Sequence, residues 1–290
     1  MGTGARALRR TIALLGLGAA LVPAAAMAAS ALDLYYERSL MSAAHQRCKL
    51  FSPSVAAALD ASAGQARGAA LRGGADMGVV KSVGARAASK AGSVPCASAD
   101  LQTAAQRVRT AFDGWKKIAR MSFPGETAEW KADRTAYRST RWRLVQTGRL
   151  GADPTAFGVA GQGPSTALVA VARFGDGAQP YTARLVFRDT ARTNGAWLGA
   201  PKARPLPPRS ASTVLLAQDR SAADAGIAPD ARPGALAYRF PPAAAEALAR
   251  LDPREQFAVE FVMGDERVRT ARFEVGDFAA GRAFLMVGAL

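Results

Sequence analysis

The chain has 290 residues, is 49% hydrophobic and carries a formal charge of +15, a composition that buries a core and excludes a disordered chain. The charge is spread: residues 30 to 134 hold 15 basic and 9 acidic side chains, residues 135 to 290 hold 20 and 14, and no run reaches five like charges. Without an aromatic-interleaved basic patch or a recognised motif, nucleic acid is not an expected partner.

Residues 1 to 29 read "MGTGARALRRTIALLGLGAALVPAAAMAA". Arg6, Arg9 and Arg10 form a positive n-region, 11 to 22 a short apolar run, and Ala26-Met27-Ala28 a small-x-small cleavage signal after Pro23. These are the parts of a secretory signal peptide, and the run is shorter than the roughly 20 apolar residues of a spanning helix. Arg9-Arg10-Thr11-Ile12 partly matches a twin-arginine signal, although paired arginines are equally ordinary in the general secretory n-region, the route preferred here. The mature chain is expected to begin near Ala29 or Ser30, with no transmembrane anchor after cleavage. Arginine outnumbers lysine 31 to 7, a bias of GC-rich bacterial genomes, so the expected compartment is the periplasm or the exterior.

Helical spacing runs from residue 30 to about 134. Leu34, Met41, Ala44, His45 and Cys48 share one side of a first helix. Ser52 as N-cap and Pro53 at the first helical position start a second, which stops at Gly73-Gly74 and shows an alanine face suited to close packing. A third covers "ADMGVVKSVGARAASKAG". A fourth is capped by Ser98 or Asp100 and carries the stripe Leu101, Ala105, Val108, Phe112, Trp115 and Ile118, ending at Phe123-Pro124-Gly125. A short fifth helix is expected over 127 to 133. Together these predict a small antiparallel bundle.

Past Tyr137 the period becomes two. Strands are expected over 140–148, 166–175, 181–189, 212–218, 235–240, 256–264 and 267–276. In the third, Tyr181, Ala183, Leu185 and Phe187 face inward while Thr182, Arg184 and Arg188 face out. Gly264-Asp265 suggests a hairpin. "GVAGQG" (158 to 163) reads as a flexible turn, and 190 to 211, with "PKARPLPPR", as a stiff linker. A helix follows Pro241-Pro242, and "DFAAGRAFL" closes the chain as another. The predicted fold class is α+β: an N-terminal helical bundle (30 to 134), then an antiparallel, sandwich-like β-rich domain (135 to 290).

Trp142 opening the first strand, the helix–strand–strand order after Pro241 and the ending "FEVGDFAAGRAFLMVGAL" resemble the invasion-associated locus B family of exported alphaproteobacterial proteins. The resemblance covers residues 140 to 290 and implies a compact, envelope-located, non-enzymatic β domain. That family's cysteines are absent here, and the helical part has no counterpart in it.

Cys48 and Cys96 are the only cysteines and His45 the only histidine. Two cysteines in an exported chain predict one disulfide, closing a loop of about 49 residues at on the order of 4 kcal/mol. Oxidised, Cys48 is neither nucleophile nor metal ligand. If both cysteines stayed reduced, His45, Cys48 and Cys96 could supply three ligands to zinc or a redox pair. Any Ser-His-Asp or Cys-His catalyst would need His45, which reads instead as a partly buried helix histidine bonded to a carbonyl or carboxylate. The S-x-x-K, G-x-S-x-G and P-loop patterns are missing. The carboxylate pairs Glu126/Glu129 and Asp265/Glu266 read as solvated.

No catalytic residue, cofactor or metal is therefore expected. Trp130, Trp197 and His45 are the candidate contact residues, the two tryptophans because they fall in weakly structured stretches. The expected function is a non-enzymatic binding or structural role in the cell envelope, with anionic envelope components or an envelope protein as partner. The alternative is a periplasmic hydrolase with a carboxylate or Ser/Lys site in the cleft between the two domains.

Overall fold

Four helices open the described chain: α1 (Ala24–Cys48), α2 (Pro53–Arg72), α3 (Met77–Ser93) and α4 (Ala99–Trp115). The structure, a computed structural model, describes residues 24–162, 166–199, 205–231 and 233–290. The n-region and apolar run of the expected signal peptide lie outside them, and the cleavage triplet falls in the first turns of α1. Among the described residues no helix is long and apolar enough to cross a membrane.

The helix boundaries follow local chemistry. Pro53 sits at the start of α2, and Gly73 and Gly74 close it by donating to the Ala69 and Leu71 carbonyls, respectively. Asp76 caps α3 by accepting from Gly78 N–H, and Ser98 caps α4 by accepting from Leu101 N–H. Met41, Ala44, Phe51, Val55, Leu59, Leu101 and Ala105 bury together where α1, α2 and α4 meet. Ala31, Ala70, Leu71 and Val80 do the same for α1, α2 and α3.

The expected fifth helix is not there. Residues Arg120–Pro124 (β1) and Glu129–Asp133 (β2) form an antiparallel hairpin, with Phe123 opposite Trp130. Both of those side chains are fully buried. The alternation of buried and exposed positions in "EWKAD" is a strand period that the helical reading overlooked. The turn at 125 to 128 is held by Glu274, whose carboxylate accepts the backbone N–H groups of Glu126, Thr127 and Ala128. Strand structure thus begins at Arg120, well before Tyr137.

Nine further strands follow: β3 (Arg141–Leu150), β4 (Asp153–Gly161), β5 (Ala167–Ala172), β6 (Thr182–Arg188), β7 (Ser212–Leu216), β8 (Asp219–Ala222), β9 (Leu236–Phe240), β10 (Gln256–Val262) and β11 (Val268–Glu274). Two short helices, α5 (Pro242–Ala249) and α6 (Phe278–Leu285), complete the order. The strands make one seven-stranded sheet, β1-β2-β3-β4-β5-β9-β8, and one four-stranded sheet, β11-β10-β6-β7. Every pairing in both is antiparallel, and the fold class is mixed α+β.

The flexible turn expected from residue 158 is instead, up to Gly161, the second half of strand β4. A side chain at Gly158 would place its Cβ 1.9 Å from the Leu144 carbonyl oxygen, so the glycine marks close backbone approach beside the irregularity between Trp142 and Leu144 in β3. Ala183, Leu185 and Phe187 face inward as their spacing predicts, but Tyr181 is 55% exposed because it precedes β6. Arg188, expected in solvent, is buried against Glu255, with Nε and Nη2 donating at 2.7 and 2.8 Å.

Side chains from both sheets share one aromatic core. Phe157 of β4 meets Phe257 and Phe273 with ring centres 4.9 and 5.5 Å apart, and Tyr238 of β9 meets Phe261 at 5.4 Å. Such pairs add about 0.5–1.5 kcal/mol each beyond area burial. Gln146 of β3 joins the sheets directly: its side-chain amide accepts from Glu274 N–H and donates to the Glu274 carbonyl. Helix α6 covers the core beneath β1 to β3, where Phe278 packs on Trp130 and Phe284 on Phe123.

Helix α2 lies across α6. Ala61 belongs to the shared core, a Cβ at Gly64 would sit 3.2 Å from Ala280 Cβ, and one at Gly68 would overlap the Asp277 carboxylate. Arg72, at the end of α2, donates to both oxygens of Asp277 at 2.7 and 2.9 Å. The Asp277 side chain is 1% exposed and that of Arg72 16%.

Two outcomes test this packing. Arg72→Ala leaves a buried carboxylate unpaired and should cost about 3–5 kcal/mol in urea unfolding, whereas Arg72→Met with Asp277→Leu should recover most of the loss. The second outcome concerns Tyr238, whose phenol is pushed up to about 12 by burial from an ordinary 10.0 and donates to the Pro180 carbonyl. The unfolded chain then ionises first, so this stabilisation is complete below pH 10 and is lost as pH rises toward 12, with a slope of about 1.4 kcal/mol per pH unit. Tyr238→Phe should flatten that alkaline limb of the stability curve.

Candidate functional site

The disulfide lies at one end of the helical layer. Cys48 and Cys96 are bonded, with their Cα atoms 5.5 Å apart, tying the end of α1 to the residues just before α4. The structure contains no free cysteine. Lys49 next to the bridge adopts φ +53°, which reverses the chain after α1. His45 stabilises this reversal, because its Nδ1 accepts Phe51 N–H at 3.0 Å and its ring lies 5.3 Å from the Phe51 ring. The partner is a backbone donor, where a carbonyl or carboxylate was expected. Sulfur and imidazole are both committed to structure here, and neither is left to act as nucleophile or base.

The buried acidic groups are also committed. The buried carboxylates are Asp252, Glu255, Glu260, Glu274 and Asp277. Arg254 holds Asp252, Arg188 holds Glu255, Arg184 and Arg209 share Glu260, and Arg72 holds Asp277. Glu274 is spent on the β1–β2 turn. Burial raises the Asp277 carboxyl above its usual range, with Arg72 opposing that rise, while Glu260 is held below its range by Arg209 and Arg184 against the cost of burial. Of the exposed pairs, Asp265 binds Arg267 and Glu129 binds Lys131. Among the described residues no group of three or more His, Cys, Asp or Glu is placed to hold a metal ion.

Two concave regions border α2. One, of about 420 Å³, lies where α2 meets the α5–β10 turn and the start of α6. Its charged lining is Arg67, Arg250 and Asp277, and no serine, lysine or histidine lines it. It stands where the alternative reading placed a hydrolytic cleft, yet its one carboxylate is already bound through both oxygens by Arg72.

The other is an apolar groove of about 210 Å³ between α2 and α4. Val55, Ala58 and Leu59 form one wall; Val108, Ala111, Phe112 and Trp115 form the other. The groove exists because α4 is held close only at its N-terminal end. Leu101 and Ala105 are buried to 4% and 0% exposure, while Val108, Phe112 and Trp115 along the same stripe stay half-buried. Arg38 of α1 lines it too, with Nη1 donating to the Ser62 carbonyl at 2.7 Å. Burial lowers the Arg38 pKa, and neighbouring Glu37 partly offsets this.

The expected contact residues fare differently. Trp130 is a correction: it is fully buried, stacked on Phe257 and packed edge-on or tilted against Phe157 and Phe278, and donates its indole N–H to the Val275 carbonyl at 2.9 Å. Trp197 is 37% exposed in the loop after β6. His45 is half-buried and occupied. The structure does not bring these three together. It brings together Arg38 and the second half of the α4 stripe, a stripe visible in the sequence as a helix face but not as a groove.

Compared with protein-family models, with curated proteins and with solved structures, the chain matches none. Its site is therefore read from its own geometry. If the bridge organises the α1–α4 corner, Cys48→Ser should lower stability by about 4 kcal/mol, measured by urea unfolding without reductant, and Cys96→Ser should match it. His45→Ala should cost about 1 kcal/mol for the lost acceptor.

Proposed function

We propose that this chain is an exported, periplasmic or secreted protein that acts by binding in the cell envelope, without catalysis. The observation that carries the reading is the chemistry of its concave surface. The α2–α4 groove offers apolar walls, one cation and one hydroxyl, Ser62, which donates to the Leu59 carbonyl, so it can hold a ligand but is lined by no acid or base that would activate that hydroxyl. The Cys48–Cys96 bond supports an oxidising compartment, and the signal-like N-terminus supports export to it. The surplus of 35 basic over 23 acidic residues from residue 30 onward favours an anionic partner.

In this reading the two sheets pack as a sandwich, and that body with its helical layer presents the groove. The resemblance of residues 140 to 290 to exported invasion-associated locus B proteins points the same way. Expression of the full chain in a Gram-negative host, fractionation and intact-mass measurement test the proposal. The expected product is periplasmic, starts near Ala29 or Ser30, and is two hydrogens lighter than its reduced form. A full-length cytosolic product with two reactive thiols would refute it, as would turnover in an ester, peptide or glycoside screen that one substitution abolishes.

A further inference from the structure

We infer that the α2–α4 groove is a site for a single-chain fatty carboxylate, whose alkyl chain lies between Leu59 and Phe112 and whose head group pairs with Arg38. The inference rests on the binding role proposed above and supplies its ligand.

Size sets the first limit. A 150 Å³ apolar cavity holds a benzene ring, and sites for drug-sized ligands start at roughly 300 Å³. The groove, at about 210 Å³, suits one alkyl chain of modest length. It is too small for the two chains of a phospholipid. Its walls are aliphatic and aromatic along their whole length, so the segment inside must be apolar.

Charge sets the second. Arg38 is half-buried, and its one hydrogen bond goes to a neutral carbonyl, that of Ser62. No carboxylate forms an ion pair with it among the described residues, in contrast to Arg72, Arg184, Arg188, Arg209 and Arg254. A guanidinium presents five donors in a planar fork that matches a carboxylate through two parallel bonds. A cation that burial disfavours gains most from an anion that arrives with its own apolar tail. Nearby acids do not compete: Asp60 accepts from Ser42, and Asp113 binds Lys116. Glu37, next to Arg38 in the chain, is exposed, forms no ion pair with it and offsets its burial only in part. A glycerophosphate head would need further polar partners, and Ser62 is the only other polar residue lining the groove.

The test is calorimetric titration of the purified full chain with decanoate, decanol, decyltrimethylammonium and a decanoyl lysophosphatidylglycerol. Decanoate should bind one to one, about tenfold more tightly than decanol, and decyltrimethylammonium should be weakest. Arg38→Met keeps the stem and removes the charge. It should bring decanoate down to the decanol level and leave decanol unchanged. Ala111→Phe fills the groove from an exposed position on α4 and should abolish both, with circular dichroism and the unfolding midpoint close to those of the parent. Equal affinity for decanoate and decanol overturns the inference. So does decanoate binding that survives Ala111→Phe, or a preference for the lysophospholipid. If decanoate fails but the protein is retained on immobilised cell-wall polymer or anionic vesicles, the binding role stands and the groove assignment falls. Failure of every probe removes both.

Discussion

The close approach of α2 to α6 governs the rest of the structure. Helix α6 belongs to the aromatic core: Phe278 and Phe284 pack on Trp130 and Phe123, and Gly281 sits so near Leu144 that a Cβ would fall 2.7 Å from Cδ1. Helix α2 belongs to the helical layer, touching α1, α3 and α4. The two helices meet through Ala61, Gly64 and Gly68, spaced three and four residues apart, which removes the side-chain bulk that would hold them apart. Such a seam gives little directional information by itself. The Arg72–Asp277 pair supplies it, because a buried carboxylate with a bidentate partner permits one register of α2 along α6. The groove depends on this register, since α2 forms one of its walls and Val287, just past α6, packs against Ala57 and Ala58 of that helix.

Much of this could be read from the residues, and the failures have physical causes. The N-terminal helices are legible from their apolar spacing and, for α2 and α4, from local end signals: Pro53, Gly73 and Ser98 act within one turn of their own backbone, as Asp76, not foreseen as a cap, does for α3. The alanine face of α2 signalled close packing, but not its partner, which lies over 200 residues away. Strands β1 and β2 were missed because the apolar stripe of α4 continues in helical phase as far as Ile118. What makes 120 to 133 a hairpin is remote, the Glu274 carboxylate gathering the turn amides and the ring cluster around Trp130. Gly158 misled for a related reason. A glycine in a loop and a glycine under a neighbouring carbonyl look alike until the neighbour is placed.

The site was legible in part. The pairing of Cys48 with Cys96 followed from there being two cysteines, and the modest role of His45 from its position in a helix. Its acceptor role could not be foreseen, because it depends on the left-handed turn at Lys49. Trp130 was misplaced because the exposure of a tryptophan was inferred from weak local structure, whereas the indole finds its partner in the Val275 carbonyl, 145 residues on. The groove is an absence of contact between two helices that otherwise pack, and periodicity reports only that a face is apolar.

The arginine surplus acquires a structural meaning once the buried acids are traced. Four of the five buried carboxylates are neutralised by arginine, each through bonds to both oxygens. Without those partners each would carry a desolvation cost of several kcal/mol. Guanidinium serves better than ammonium in these places because its fork satisfies two acceptor sites at once. A basic chain can meet every such demand and still have cations to spare, most of them solvated and of little energetic consequence. Arg38 stands beside an apolar groove, where burial makes its charge costly and neighbouring Glu37 offsets that cost only in part. Like Arg134 and Arg282, which bond backbone carbonyls, Arg38 has no carboxylate in an ion pair with it among the described residues, and it borders an apolar groove.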